Sequence, residues 1–147
     1  MIQPDAASVP FSEADLVVAF CKMLSRSDDP WNTKSYATEF EYLRGRTDII
    51  LADRDGRVIA IEAKLLKWRD ALNQAYRNGC FAHKSFVLLP ENVAKKAEKF
   101  LNEFSRRSVG LCSVTPDGIV VLIDSEEAMP IQPILTQRAL QLTESGG

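Results

Sequence analysis

The sequence predicts an α/β fold, in which helices cover both faces of one mixed β-sheet. Short apolar runs of strand length recur along the chain, and three of them come before the first long connecting helix. Apolar residues at helical spacing separate the later runs, which is typical of a helical crossover between parallel strands. With 147 residues, of which 46% are hydrophobic and 26% charged, the chain has the composition of a single globular domain, residues 1–147.

The first predicted helix begins after Ser12 and continues to about Leu24. Ser12 is placed to cap the helix, and Asp15 closes a capping-box-like pair with it. Glu13 shares the buried side of this helix, because it lies four and seven residues before two apolar members of the stripe. Two interpretations of Glu13 stay open: it complements the helix dipole, or its carboxylate is aimed at the sheet. The apolar stripe consists of Leu16, Val17, Phe20, Met23 and Leu24.

A three-strand meander is predicted to follow this helix. Its strands are residues 36–42, 47–52 and 58–64, and the turn 53–56 between the last two offers Gly56 for a positive φ. Strict alternation in the first strand puts its aromatic side chains on one face and its two glutamates on the other. The aromatic residues concerned are Tyr36, Phe40 and Tyr42.

A second helix connects the meander to a fourth strand, residues 84–89, which is apolar enough to lie in the sheet centre. The helix ends near Gly79. Its predicted core-facing residues are Trp68, Ala71, Leu72, Ala75 and Tyr76.

The predicted core extends over about residues 12–123. A third helix opens at Pro90 and Glu91, and a closing hairpin is built from residues 109–114 and 119–123 around the turn Thr115-Pro116-Asp117-Gly118. Residues 1–10 and 125–147 are expected to be peripheral, the first as a loose arm and the second with a short helix.

Composition narrows the functional classes. The net charge of −2 does not suit a passive nucleic-acid coat, although it is compatible with a nuclease whose site carries carboxylates. The longest apolar runs fall far short of the ~20 residues of a membrane helix. The first residues lack the basic and apolar regions of a secretion signal, and three dispersed cysteines are expected to be reduced thiols. A cytoplasmic protein with no membrane contact is therefore expected.

The chemistry of the chain centres on Asp48 and the segment Glu62-Ala63-Lys64. Two carboxylates and an ammonium at the ends of paired strands can hold a divalent cation beside a charge-stabilising group. Alternation along the strand puts Glu62 and Lys64 on the same face. Other chemistries lack support in the sequence: His83 is the single histidine, and neither a glycine-rich phosphate loop nor a cysteine–histidine zinc cluster occurs.

Asp48 followed by Glu62-x-Lys64, in the element order α-β-β-β-α-β, resembles the PD-(D/E)xK nuclease superfamily. Glu13, the stretch Gly45-Arg46-x-Asp48 and Gln74-Ala75 add to the resemblance, which is closest to small bacterial members. Thr47 stands where a proline usually precedes the aspartate. The resemblance implies a restriction-endonuclease-like fold with an αβββαβ core, an extra helix and a C-terminal hairpin.

The resemblance also implies roles for individual residues. Asp48 and Glu62 would be the principal ligands of Mg²⁺, which Mn²⁺ would replace, and the Ala63 carbonyl and Glu13 would complete the metal shell. Lys64 would position the attacking water or stabilise the transition state. Gln74 would orient water or phosphate at the edge of the site.

DNA is the implied substrate, as a duplex or a branched structure, and the implied activity is a Mg²⁺-dependent endonuclease in DNA repair, recombination or defence. Two alternatives stay open: a catalytically silent module that binds nucleic acid or assembles with proteins, and a nuclease that acts on RNA. A homodimer, or a partner protein that supplies specificity, is also expected. Basic residues near the site edge that could bind phosphates, or could be ordinary solvated charges, are Arg44, Arg46, Lys67 and Arg69.

Overall fold

Six strands form one sheet, and their order in the sheet is their order along the chain. The computed structural model describes residues 12–26, 29–43 and 45–146, so the predicted arm 1–10 lies outside the described residues. The three-strand meander is antiparallel, the third to fifth strands pair in parallel, and the last pair is an antiparallel hairpin. The strands are β1 (Thr33–Tyr42), β2 (Gly45–Asp53), β3 (Val58–Ala63), β4 (Lys84–Pro90), β5 (Gly110–Thr115) and β6 (Gly118–Ile123).

Helices provide the crossovers that the parallel strands require. The second helix connects β3 to β4, and a helical segment interrupted by a short 3-10 stretch connects β4 to β5. The predicted α/β fold, with an αβββαβ core and a C-terminal hairpin, is confirmed. The helices are α1 (Glu13–Leu24), α2 (Trp68–Arg77), α3 (Glu91–Ala97), α4 (Leu101–Ser105) and α5 (Pro133–Gly146).

The central strand β4 shows that helices cover both faces of the sheet. Phe86 and Leu88 pack in a cluster with the buried side of α1. Their neighbours Val87 and Leu89 pack in a second cluster with α2, α3 and α4. Because side chains alternate along a strand, these two clusters lie on opposite faces, and the near-continuous apolar sequence of β4 follows from burial on both sides.

Helix α5 covers the first strands of the meander. It is a 14-residue helix, longer than the short helix expected from the sequence. Its Ala139 is fully buried in a third cluster that contains Phe40, Tyr42 and Phe81. The ring of Phe81 meets those of Phe40 and Tyr42 edge-on, at 5.0 Å between centroids in both cases. No helix in the described ranges has the length and apolar character to cross a membrane.

The prediction that Tyr36, Phe40 and Tyr42 share one face of β1 is wrong. Tyr36 packs against the α1 cluster, whereas Phe40 and Tyr42 belong to the cluster under α5. The cause is Glu39, whose φ of 59° is left-handed and breaks the alternation of the strand. A regular strand pattern cannot reveal a backbone reversal at one residue.

The predicted inward position of Tyr76 on α2 is also wrong. Tyr76 is 60% exposed, whereas Trp68 on the same helix is 9% exposed. Trp68 stacks on Phe104, with 5.5 Å between ring centroids. The buried face of α2 therefore runs through Trp68, Ala71, Leu72 and Ala75, as predicted, and leaves Tyr76 to one side.

Candidate active site at the fork between β2 and β3

The two candidate metal-binding carboxylates lie where β2 and β3 separate. The register between these strands runs from Ala52 opposite Val58 to Ile49 opposite Ile61. Asp48 and Glu62 are the next residues on the two strands, just beyond the last registered pair. The Ala63 N–H donates a hydrogen bond of 2.9 Å to Oδ2 of Asp48. A side chain thus satisfies a backbone donor at the point where the ladder ends, and it holds Asp48 beside Glu62.

Burial sets the electrostatics of this carboxyl pair. Glu62 is 5% exposed. Burial raises the pKa of Glu62 to about 8, a hydrogen bond from Asn78 opposes that rise, and the charge of Asp48 adds to it. Burial also raises the pKa of Asp48, against the lowering effect of the Ala63 N–H. The two carboxyl groups interact, so that Asp48 adds to the rise in the pKa of Glu62, whereas Glu62 opposes the rise in the pKa of Asp48.

Asn78 connects Glu62 to the interior of the protein. Its Nδ2 donates a hydrogen bond of 2.7 Å to Oε2 of Glu62. Its Oδ1 accepts hydrogen bonds from the hydroxyl of Tyr42, at 2.6 Å, and from that of Thr47, at 3.0 Å. Asn78 and Thr47 are fully buried, and Tyr42 is 8% exposed. Glu62 is therefore one end of a buried polar network that reaches β1 and β2.

Lys64 and Glu13 meet at the other side of the fork. Strand β3 ends at Ala63, so Lys64 lies one residue beyond it. Its Nζ is 3.7 Å from Oε2 of Glu13, in the first turn of α1. The charge of Glu13 contributes to the raised pKa of Asp48, which puts Glu13 within electrostatic reach of the pair. Glu62 and Lys64, predicted to share a face, thus have different partners: Asn78 for one and Glu13 for the other.

Gln74 and Arg46 lie together at the edge of the fork. Nε2 of Gln74 donates to the backbone carbonyl of Arg46 at 3.4 Å, and Nη1 of Arg77 donates to Oε1 of Gln74 at 3.1 Å. The Arg46 guanidinium is 3.6 Å from the Glu39 carboxylate, and both side chains are mostly exposed. The side chain of Gln74 is thus tied to β2 two residues before Asp48.

The remaining basic candidates are spread out. Lys67 is exposed and directly precedes α2. Arg69 forms two hydrogen bonds with the Glu103 carboxylate, at 2.8 and 3.0 Å, and its guanidinium lies 4.2 Å from the centre of the Trp68 ring. Arg44 lies outside the described residues. The structure thus brings Arg46 close to the carboxyl pair, whereas Arg69, on α2, is paired with Glu103 of α4.

A groove gives access to Asp48 from solvent. It encloses roughly 900 Å³ between α1 and the edge strand β1. Asp48 lines this groove, whereas Glu62 is buried and does not line it. Asp48 is therefore where the groove meets the carboxyl pair. Its other lining residues include Glu13, Val17, Cys21, Tyr36, Glu39 and Arg46.

The donor chemistry of the fork suits a hard divalent cation. No set of three or more histidine, cysteine, aspartate or glutamate side chains suited to a metal is found within the described ranges. Mg²⁺ does not require such a set, because it keeps several waters and binds through one or two carboxylates. Asp48 and Glu62 provide two, and burial, which raises both of their pKa values, disfavours their ionised forms unless a cation such as Mg²⁺ is bound.

Comparisons with known proteins add the fold and no activity. No protein-family model and no curated protein matches the chain. A solved structure of SPO1766, a protein of unknown function from Silicibacter pomeroyi, is similar with a TM-score of 0.55 and 17% identity. The matched region covers 76% of this chain and 72% of the SPO1766 chain. At this identity the likeness is one of fold.

Two further solved structures are weaker matches. SfsA from Pyrococcus furiosus, in complex with Ca²⁺, has a TM-score of 0.37 and 10% identity, over 67% of this chain and 56% of its own. A repair endonuclease from Pyrococcus abyssi has a TM-score of 0.37 and 18% identity, over 67% of this chain and 44% of its own. Likeness at this level says nothing about the activity of this protein.

Sequence reasoning missed Asn78 and its two hydroxyl partners, Tyr42 and Thr47. Asn78 precedes Gly79, which indicates the end of α2, and that pattern assigns no role to Asn78. A signal was present, since Asn78 follows Ala71 and Ala75 at helical spacing and so extends the buried stripe of that helix. A polar residue in such a stripe must find a partner in the core.

Proposed function

We propose that this protein is a Mg²⁺-dependent endonuclease that hydrolyses phosphodiester bonds in DNA. The observation that carries the proposal is the carboxyl pair of Asp48 and Glu62. Two acids are held together at a sheet fork, and the pair reaches a solvent groove through Asp48. Functional sites often contain acids whose ionisation is disfavoured by burial or by a neighbouring acid.

Asp48 and Glu62 would hold the ion, with the Ala63 carbonyl as an additional oxygen and Glu13 as a further ligand, directly or through water. When bound, Mg²⁺ would supply a more acidic water and neutralise charge on the scissile phosphate. Mn²⁺ has similar ligand preferences and would substitute. The hydrogen bond from the Ala63 N–H holds Asp48 in position before a cation binds.

Lys64 supplies the positive charge of the site. Its ammonium would stabilise the charge that develops on the phosphate, or position the attacking water. The ion pair with Glu13 holds it near the fork before substrate arrives. Gln74, tied to the Arg46 carbonyl, would orient water or phosphate at the edge.

Basic residues around the fork would bind the DNA backbone. Arg46 is the described residue best placed for this, since it lies in the groove wall with Asp48. Lys67 and Arg44 would extend the contact. Arg69 would have to leave Glu103 to contribute, because its guanidinium already pairs with that carboxylate. Duplex or branched DNA, a cytoplasmic setting, and a homodimer or a partner protein that adds specificity complete the proposal.

Cleavage assays with matched variants test the proposal. Supercoiled plasmid, linear duplex, flap and junction DNA are incubated with Mg²⁺ or Mn²⁺ and the wild-type protein, Asp48→Asn or Lys64→Ala. Asp48→Asn keeps an oxygen that can accept from the Ala63 N–H, so the fold is retained while the charge is lost. We expect a loss of activity of about 10²-fold or more in both variants.

Two surface substitutions serve as controls. Asp55→Asn removes an exposed carboxylate from the β2–β3 turn, and Lys95→Ala removes an exposed ammonium from α3. Both should cleave like the wild type. Absence of cleavage on every substrate, or equal activity in Asp48→Asn, would contradict the proposal.

The competing possibilities give different results in simple assays. A catalytically silent module would bind nucleic acid or a protein without a Mn²⁺ site that depends on Asp48, which calorimetry detects. A nuclease acting on RNA would cleave labelled RNA and be inhibited more strongly by unlabelled RNA than by DNA.

A further inference from the structure

Backbone hydrogen bonds hold Asn78 on both sides, independently of its side chain. Its N–H bonds back to the last turn of α2, including the carbonyls of Gln74 and Ala75. Its own carbonyl accepts from the N–H groups of Phe81, at 3.1 Å, and Ala82, at 2.9 Å. The Asn78 side chain therefore projects from a rigid point into the core.

The partners of Asn78 determine which way round its amide lies. Tyr42 and Thr47 each have a hydroxyl hydrogen to donate, and both donate to Oδ1. This leaves the Nδ2 hydrogens for Oε2 of Glu62. The reversed amide would set its oxygen against the Glu62 carboxylate, which is repulsive whenever Glu62 is ionised. Two hydroxyl donors on one side and an acid on the other thus select one orientation.

The same network polarises the amide towards Glu62. Hydrogen bonds received at Oδ1 strengthen the bond that Nδ2 donates, because bonds in a chain reinforce each other in a low-dielectric interior. All four side chains are buried, so water offers little competition. One oxygen of Glu62 is thereby restrained, and the carboxyl group adjoins that of Asp48.

We propose that Asn78 is a positioning residue, which holds one oxygen of Glu62 so that the carboxylate faces Asp48 and the divalent cation bound between them. The inference rests on the proposed function, since it assigns a task in the same site. Hydrogen bonds to carboxylates that bind metals orient those ligands, and their loss typically weakens metal affinity or activity by about 10–100-fold. Tyr42 and Thr47 act one step further away, by orienting the amide.

Titration with Mn²⁺ alone, followed by calorimetry, tests this role. Asn78→Leu keeps the approximate side-chain volume and removes the donor. We expect its Mn²⁺ affinity to fall by about 10–100-fold. Tyr42→Phe removes a hydrogen bond from the same amide and leaves the bond to Glu62 in place, so its Mn²⁺ affinity should stay much closer to the wild-type value. Thermal melting without metal shows whether each variant is folded.

A second substitution and a kinetic measurement guard against a purely structural effect. If Asn78→Leu does not fold, Asn78→Ser replaces it, because serine keeps a polar group at the position but is too short to reach Glu62. In cleavage assays, a positioning role raises the Mn²⁺ concentration needed for half-maximal activity and leaves the KM for DNA unchanged.

The possible outcomes separate the two proposals. Weakened Mn²⁺ binding in a folded Asn78 variant, with much smaller loss in Tyr42→Phe, supports the positioning role. Wild-type Mn²⁺ affinity in a folded Asn78 variant overturns that role and leaves the nuclease proposal standing. A wild-type protein that binds no Mn²⁺ overturns both.

Discussion

One aspartate flanks each end of the stretch of β2 that is in register with β3, residues 49–52, and the two aspartates differ in how their charge is balanced. Asp53, at the turn, is 5% exposed and bonds to the Arg57 guanidinium at 2.8 Å. Burial alone would raise its pKa, but hydrogen bonds from the backbone and side chain of Arg57 lower it below the ordinary value. Asp48, at the fork, has Glu62 as its neighbour instead, and burial raises its pKa.

This difference is the one we expect between a structural acid and an acid that takes part in the proposed chemistry. At the turn, the Arg57 guanidinium pairs with Asp53 and also with Asp55 and Glu127, so Asp53 has a cation of the same chain beside it. At the fork, two acids adjoin and their balancing charge must come from a proton or a cation. The presence of a cavity does not distinguish the two aspartates, because Asp53 also lines a cavity, of roughly 240 Å³.

Removing one acid at each end should separate activity from stability, and this is the largest contrast we expect. Glu62→Gln can still accept from Asn78, so it should fold, yet lose activity by about 10²-fold or more because the charge is gone. Asp53→Ala leaves the N–H groups of Asp55 and Arg57 without their acceptor and should destabilise the fold by about 1–3 kcal/mol.

Cleavage rates and urea denaturation, measured on the same preparations, check this contrast. Asp53→Ala should retain wild-type activity per folded molecule. A large loss of activity in Asp53→Ala, or wild-type activity in Glu62→Gln, would remove the distinction between the two ends.

The pH dependence of stability should have opposite signs at the two ends. Folded Glu62 holds a proton up to about pH 8, whereas the unfolded chain releases it near 4.5. The folded state thus binds more protons between these values, and the free energy of unfolding contributed by Glu62 falls as pH rises through that window. Asp53 has a lowered pKa, so its contribution is present at neutral pH and is lost as pH falls below about 3.8.

Urea denaturation in EDTA, at several pH values between 5 and 9, measures this effect. Glu62→Gln should reduce the decline in stability seen in the wild type, and Asp55→Asn should leave it unchanged. Identical pH dependence in the wild type and Glu62→Gln would show that Glu62 does not hold the proton.

The smallest contrast concerns backbone strain. Glu39 and Asn32 both have left-handed backbones, with φ of 59° and 54°. Asparagine tolerates this conformation and glutamate does not. Glu39→Gly should therefore stabilise the protein by about 1 kcal/mol, whereas Asn32→Gly should change little, as measured by urea denaturation. A destabilised Glu39→Gly would mean that the contact with Arg46 outweighs the strain.

The sequence predicted those elements of the fold that a regular apolar period or a turn motif indicates. The apolar run of β4 predicted a central strand, and the order of runs predicted the meander and crossover. Spacing also placed Asp48 and Glu62 on adjacent strands, and the structure brings them side by side. These predictions succeed because alternation and strand pairing are local rules that each short segment obeys.

The remaining features depend on contacts that no local rule encodes. The left-handed backbone of Glu39 reverses the faces of β1, although its neighbours alternate regularly in the sequence. Asn78 acquires its role only when Tyr42, Thr47 and Glu62 converge on it from three different strands. Positions of this kind are decided by tertiary packing, which a pattern along the chain does not contain.

The docking of α5 on the meander has a consequence for how the protein matures. Ala139 packs in the cluster of Phe40, Tyr42 and Phe81, although about two thirds of the chain separates it from Phe40. The hydroxyl of Tyr42 supports Asn78 and, through it, Glu62. During synthesis, the two acids emerge from the ribosome long before the helix that closes this cluster. The cluster that surrounds Tyr42 therefore closes only after α5 has been synthesised, much later than the two acids themselves.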